Sequence, residues 1–201
     1  MCKKNKEITY IMYVMAICAP LESNVSEFVE LLKERLKKPI TIFNESDYLK
    51  SKIIEQPKKD IEESGPQDVE INFQQLKKDI EEEEGVVLLI GHNFYKKDAL
   101  KENLGSCLSS KIFFEVSPES CLANFMRKQN PEDVDKAITH YTQQIKPAND
   151  TINITKKFAN LIIPELTDYS AVLDMICSTL VKHVVEKNYT SQRLFFRASS
   201  Y

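Results

Sequence analysis

With 201 residues the chain is long enough for one well-packed domain and too short for two ordinary ones. Hydrophobic residues at 42% and charged residues at 28% are the profile of a soluble globular protein. A net charge of −3 excludes a surface that is basic throughout, so any contact with nucleic acid has to be local.

In chain order, Lys3-Lys4-Asn5-Lys6 and the apolar run Ile8–Ala19 imitate a signal peptide. That run is 12 residues, too short to span a bilayer, and its Ile, Tyr and Val suit a buried strand over Ile8–Cys18. Ser23–Lys37 carries Val25, Phe28, Val29, Leu32 and Leu36 at helical spacing, with Ser23 or Asn24 as N-cap and basic residues gathering at its end. Pro39 stops this helix, and Ile40–Phe43 reads as a second strand. Glu55–Glu84 holds eleven acids against four lysines, a local balance of −7, and reads as partly helical surface. Its two copies of Lys-Lys-Asp-Ile-Glu-Glu, at Lys58–Glu63 and Lys77–Glu82, are too few for a repeat architecture.

Val86–Ile90 reads as a central strand and Lys111–Val116 as another. Ser117–Pro118 opens a helix to about Arg127, and Pro131 opens the next, ending near Ile145. Leu161–Pro164 is the last strand and Ser170–Glu186 the closing helix. Strands alternating with helices predict a parallel sheet covered on both faces. Cys2, Cys18, Cys107, Cys121 and Cys177 follow no disulfide or zinc spacing and read as reduced thiols of a cytoplasmic protein.

The first strand-to-helix junction is where such a sheet holds a phosphate. Laid on the pattern Gly, four residues, Gly, Lys, Ser or Thr, the chain places Ala19, Asn24, Val25 and Ser26 at the fixed positions. Only Ser26 matches. Ala19 and Asn24 bring Cβ atoms where backbone N–H groups have to approach an anion, Pro20 removes one donor, and Val25 carries no charge. By itself, Ala19–Ser26 is simply a polar loop ahead of a capped helix.

The C-terminal half supplies a resemblance. His140-Tyr141-Thr142-Gln143-Gln144-Ile145-Lys146-Pro147, followed by Thr155-Lys156-Lys157-Phe158-Ala159-Asn160-Leu161-Ile162-Ile163-Pro164, resembles the end of uridine/cytidine kinases. Lys111–Phe114, Val86–Gly91 and Ile42–Tyr48 are similar to that family's strands, so the resemblance covers roughly 8–185. It implies a P-loop NTPase-type parallel sheet flanked by helices, nucleoside-kinase-like, in a single domain over 1–187, with a basic, aromatic tail at 188–201.

The departures from the family pattern fall on functional positions. The catalytic Asp falls on Glu45, and the Glu before Gly falls on Ile90. Three lid arginines fall on Cys121, Asn124 and Phe125, and only Lys128 keeps a positive charge in register. An acidic, helix-like run occupies 70–85, where the nucleoside hairpin is expected. Val25, Ser26, Glu45 and Ile90 are therefore vestigial catalytic positions in a pseudoenzyme, with no cofactor and no metal implied.

The competing reading is a divergent active kinase with Glu45 as base, Ser26 on Mg²⁺ and Lys128 or Arg127 on phosphate. A third is a regulatory subunit of an active kinase paralogue. For the pseudoenzyme, the tail over 182–201 stands at +3 and the first seven residues at +2. Arginines interleaved with aromatics contact phosphates and stack on unpaired bases. Lys3, Lys4, Lys6, Arg193, Phe195, Phe196 and Arg197 are thus expected to dock the protein on a ribonucleoprotein such as the ribosome, with no membrane and no DNA involved.

Overall fold

The computed structural model describes residues 12–50, 70–165 and 168–181. β1 (Tyr13–Cys18) is buried along its whole length because side chains alternate across a sheet covered on both sides. Tyr13, Met15 and Ile17 enter one core; Val14, Ala16 and Cys18 enter the other. β2 (Ile40–Asn44), β3 (Val86–Gly91), β4 (Ser110–Glu115) and β5 (Leu161–Pro164) complete a five-stranded sheet in the order β2-β3-β1-β4-β5. Every pairing is parallel. The expected class is the observed one: an all-parallel sheet flanked by helices in a single domain. The middle strand is β1, with Val86–Gly91 one place to its side. The expected strand residues 8–11 lie outside the described residues.

One core packs the sheet against α1 (Ser26–Leu36), through Phe28, Val29 and Leu32, and against α3 (Pro118–Met126), through Cys121 and Phe125. It also takes Leu173, Ile176 and Leu180 from α6, which is described over 170–181. The opposite core takes Leu76 and Ile80 from α2 (Phe73–Glu81), together with Phe94, Tyr95 and Leu104. Tyr95 fills the space beneath the sheet, and its hydroxyl meets the carbonyls of Ala16 on β1 and Ile112 on β4, at 2.6 and 2.9 Å.

Three boundaries differ from the sequence reading. α1 starts at Ser26 with Val25 as N-cap; Asn24 accepts from the Ser26 N–H at 3.2 Å, and the Ser23 hydroxyl turns back to the Pro20 carbonyl. Pro131–Asp133 is a short 3₁₀ turn ahead of α4 (Val134–His140). The helix then does not stop near Ile145. It passes through a wider π-type turn, Tyr141–Ile145, into α5 (Lys146–Ile154). Pro147 lacks an N–H, and its ring presses on the carbonyl four residues back. The wider turn, in which the Lys146 N–H reaches the Tyr141 carbonyl five residues back, accommodates that misfit.

A candidate binding crevice at the carboxyl ends of the strands

β1 and β3 are neighbours, yet the chain leaves β1 toward β2 and leaves β3 toward β4 on the far side of β1. In open parallel sheets the crevice at such a switch point, beyond the carboxyl ends of the strands, is where ligands bind. Here it has a volume of about 340 Å³. Ile17 and Ala19 bound it from the end of β1, Asn44 and Glu45 from the end of β2, and Ile90 and His92 from the end of β3. Leu21 and Val25 of the loop complete the wall.

Glu45 is buried at 5% exposure, and its carboxylate is held from three directions. The backbone N–H groups of His92 and Asn93 both donate to Oε2 at 2.7 Å, and the Asn93 amide donates to Oε1 at 2.6 Å. Charge-assisted bonds of this kind are the strong ones and fix the carboxylate's position. Gly91 makes the approach possible: a Cβ there would lie 2.3 Å from Glu45 Oε2 and 2.8 Å from the Phe94 ring. Glu45 thus clamps the start of the β2–α2 connection to the end of β3. Beneath it, the fully buried Cys18 thiol is pushed well up by desolvation and then by the Glu45 carboxylate.

The loop between β1 and α1 is held by side chains from elsewhere in the chain. Asn149 of α5 is buried and contacts Leu21 twice: its Oδ1 accepts the Leu21 N–H at 2.6 Å, and its Nδ2 donates to the Leu21 carbonyl at 3.2 Å. Glu22 follows in the left-handed region, at φ 63°, which is uncommon for a residue with a Cβ. The Ala19 N–H donates to the Gly91 carbonyl at 3.2 Å. His92 Nδ1 lies 2.7 Å from the Ala19 carbonyl oxygen. A carbonyl only accepts, so this nitrogen carries the ring proton, and in the neutral ring Nε2 is left as the acceptor.

α3, the lid helix of the resemblance, is docked onto this loop. Cys121 and Phe125 are buried, and Phe125 lies 5.8 Å from each of the His140 and Tyr141 rings. Asn124 donates to the Glu22 carbonyl at 3.0 Å, while its own carbonyl oxygen takes Arg127 at 2.6 Å. Lys128, the lid cation in register, donates to the Glu22 carboxylate at 2.7 Å.

Among the positions singled out in the sequence, Val25, Glu45 and Ile90 line the crevice together. Ser26 is exposed and lies outside its walls. The region expected to lack the nucleoside hairpin contains α2. Lys3, Lys4, Lys6, Arg193, Phe195, Phe196 and Arg197, and with them the tail 188–201, lie outside the described residues. Sequence reasoning missed Asn149, Glu22 and His92. Glu22 falls on a position that the phosphate-loop pattern leaves free, and Asn149 sits in a polar helical run with no local mark of its contact.

No protein-family model matches the chain, and no curated protein matches it in sequence. In structure it is similar to shikimate kinase from Bacteroides thetaiotaomicron, at 13% identity and a TM-score of 0.48, over 86% of this chain and 98% of that one. It is also similar to an uncharacterized protein from Eubacterium ventriosum ATCC 27560, at 14% identity and a TM-score of 0.47, over 85% of this chain and 98% of that one. Among the described residues no helix is long and apolar enough to cross a membrane.

Proposed function

We propose that the chain is a non-catalytic binding protein built on a uridine/cytidine-kinase-like domain. The observation that carries this reading is that the loop and the lid bind each other. Lys128 and Asn124 face Glu22, Asn149 holds Leu21, and Val25 stands where a phosphate loop needs a lysine. Phosphoryl transfer is almost entirely positioning and charge stabilisation. Loss of one preorganised contact of that type costs about 10²–10³ in rate, and several are absent together. Glu45, engaged by three N–H donors, acts in this reading as a clamp and not as a base.

The partner in this reading is an RNA-rich assembly such as the ribosome, gripped by the basic ends of the chain. Its support is the sequence: +2 over the first seven residues and +3 over 182–201, with aromatics between the arginines of the tail.

Two measurements test the reading. Calorimetric titration with ATP·Mg²⁺ is expected to give no heat of binding; micromolar affinity abolished by Ser26→Ala overturns the non-catalytic part. Co-sedimentation with purified ribosomal subunits is expected at about 50 mM salt and to weaken steeply by about 200 mM, because phosphate contacts release counterions. Binding indifferent to salt, or to removal of 188–201, overturns the proposed partner.

A further inference from the structure

We infer that the crevice between β1, β2 and β3 binds a small, uncharged, largely apolar ring compound that carries one hydrogen-bond donor. This rests on the reading above that the phosphate machinery is gone, and it assigns the vacated crevice a different class of ligand.

Size and walls come first. A volume of about 340 Å³ lies in the range of small-molecule sites, toward its lower end. Ile17, Ala19, Leu21, Val25, Leu49 and Ile90 give it an apolar lining. Two of these, Val25 and Ile90, stand where the kinase pattern has a lysine and a glutamate. Leu49 is 43% exposed, a large apolar side chain that a bound ring would cover.

Charge decides the class. Among the described residues neither lysine nor arginine lines the crevice, so an anion would lose its hydration without gaining a charged side-chain partner there. The one carboxylate among the described residues of the wall, Glu45, already accepts three N–H donors, so a cation gains little there.

The remaining polar side chains each have a donor engaged, which leaves their oxygens as acceptors. The Ser23 hydroxyl donates to the Pro20 carbonyl, Asn44 and Ser46 donate to Asp47, and the Asn93 amide donates to Glu45. His92 offers a ring nitrogen instead. Its Nδ1–H is committed to the Ala19 carbonyl, which leaves Nε2 as an acceptor for an N–H or O–H of the ligand.

N-phenyl-1-naphthylamine has this chemistry: two apolar ring systems, no charge and one N–H, with fluorescence that rises in apolar surroundings. Titrated into the full chain, it is expected to give saturable enhancement. His92→Phe keeps a ring but removes both the acceptor and the Nδ1–H bond to Ala19, and should weaken binding about tenfold. Leu49→Asp, at an exposed position where folding is not at risk, should weaken it by a similar factor. Circular dichroism of both variants checks that the fold is kept.

Absence of saturable enhancement overturns the inference, as does binding that neither substitution alters. Displacement of the dye by uridine overturns the change of ligand class. If neither the dye nor ATP·Mg²⁺ binds, the inference fails and the non-catalytic reading stands. If ATP·Mg²⁺ binds through Ser26, the non-catalytic reading itself falls.

Discussion

The side-chain amide of Asn149 meets both backbone polar groups of Leu21, pairing with it much as a neighbouring strand would, 128 residues away in sequence. The loop between β1 and α1 is held in shape by a side-chain amide of α5. Asn149 is buried, so replacing it strands both Leu21 groups without a partner.

Asn149→Leu is therefore expected to destabilise the protein by about 1–3 kcal/mol, the net worth of two part-buried hydrogen bonds. Urea denaturation should show a lowered midpoint with an unchanged slope. Hydrogen exchange should show the Leu21 amide losing protection in the variant. A midpoint equal to wild type would mean that the loop holds its shape without the clamp.

Gly91 and Glu45 make a second test. Gly91→Ala places a Cβ against the Glu45 carboxylate and the Phe94 ring, and should cost about 1–3 kcal/mol by overpacking. Glu45→Ala removes the 2.3 Å contact with Oε2 but keeps Glu45 Cβ at 2.7 Å and the Phe94 ring at 2.8 Å, so in the same molecule it should make the Gly91 substitution partly cheaper than it is alone. A double-mutant cycle from denaturation midpoints measures that coupling, and strict additivity would contradict the contact.

Alkaline pH probes the buried acids. Desolvation, followed by Glu165 and Glu22, pushes the Cys121 thiol from 9.0 up to about 11. Burial raises Cys18 and Tyr95 as well. Each group is harder to deprotonate in the folded protein than in the unfolded chain. Their stabilisation is thus complete below about pH 9 and is lost as pH rises, Cys121's part between 9.0 and about 11. Denaturation midpoints measured from pH 8 upward should fall over this range, on the scale set by these shifts. Cys121→Ala should flatten the decline relative to its own stability at neutral pH.

The same burial predicts a labelling pattern. Only a thiolate reacts readily with maleimides, and Cys18 and Cys121 are buried with raised thiols. Both should stay unmodified in the native protein while label enters at the half-buried Cys107 and Cys177. Peptide mass spectrometry reads the order of modification. Early labelling of Cys18 would mean that the carboxyl end of β1 opens far more often than its packing implies.

Much of the fold was legible because several of its strands are apolar runs. Val86–Ile90 and Leu161–Pro164 are unbroken apolar runs next to turn residues, and both fold as strands over nearly those bounds. Ser117 before Pro118 marked a helix start and is an N-cap, accepting from the Ser120 N–H at 3.0 Å. Glu45 and Ile90 came from the strand resemblance, and the phosphate-loop register added Val25 to the same crevice. It did not bring Ser26 there, because Val25 became the N-cap and left Ser26 as the first residue of an exposed turn.

What could not be read was the long-range polar wiring. Asn149, Glu22 and His92 owe their roles to partners 73 to 128 residues away in sequence, and no local period or cap signals such a partner. The expected helix end near Ile145 failed for a related reason. Proline normally ends a helix, and its accommodation depends on the turn before it, which folds with the help of Tyr141 bonding the Pro118 carbonyl at 3.0 Å.

That turn sets the phase of everything after it. Each residue advances an α-helix by about 100°, so one residue accommodated in a wider turn rotates the following segment by about that angle relative to regular winding. Asn149 faces Leu21 only in the rotated phase. Deleting a single residue within Tyr141–Ile145 would leave a better-formed helix and a worse protein, with the amide aimed away from the loop it holds. Spacing in this segment, more than residue identity, is what ties α5 to the loop after β1.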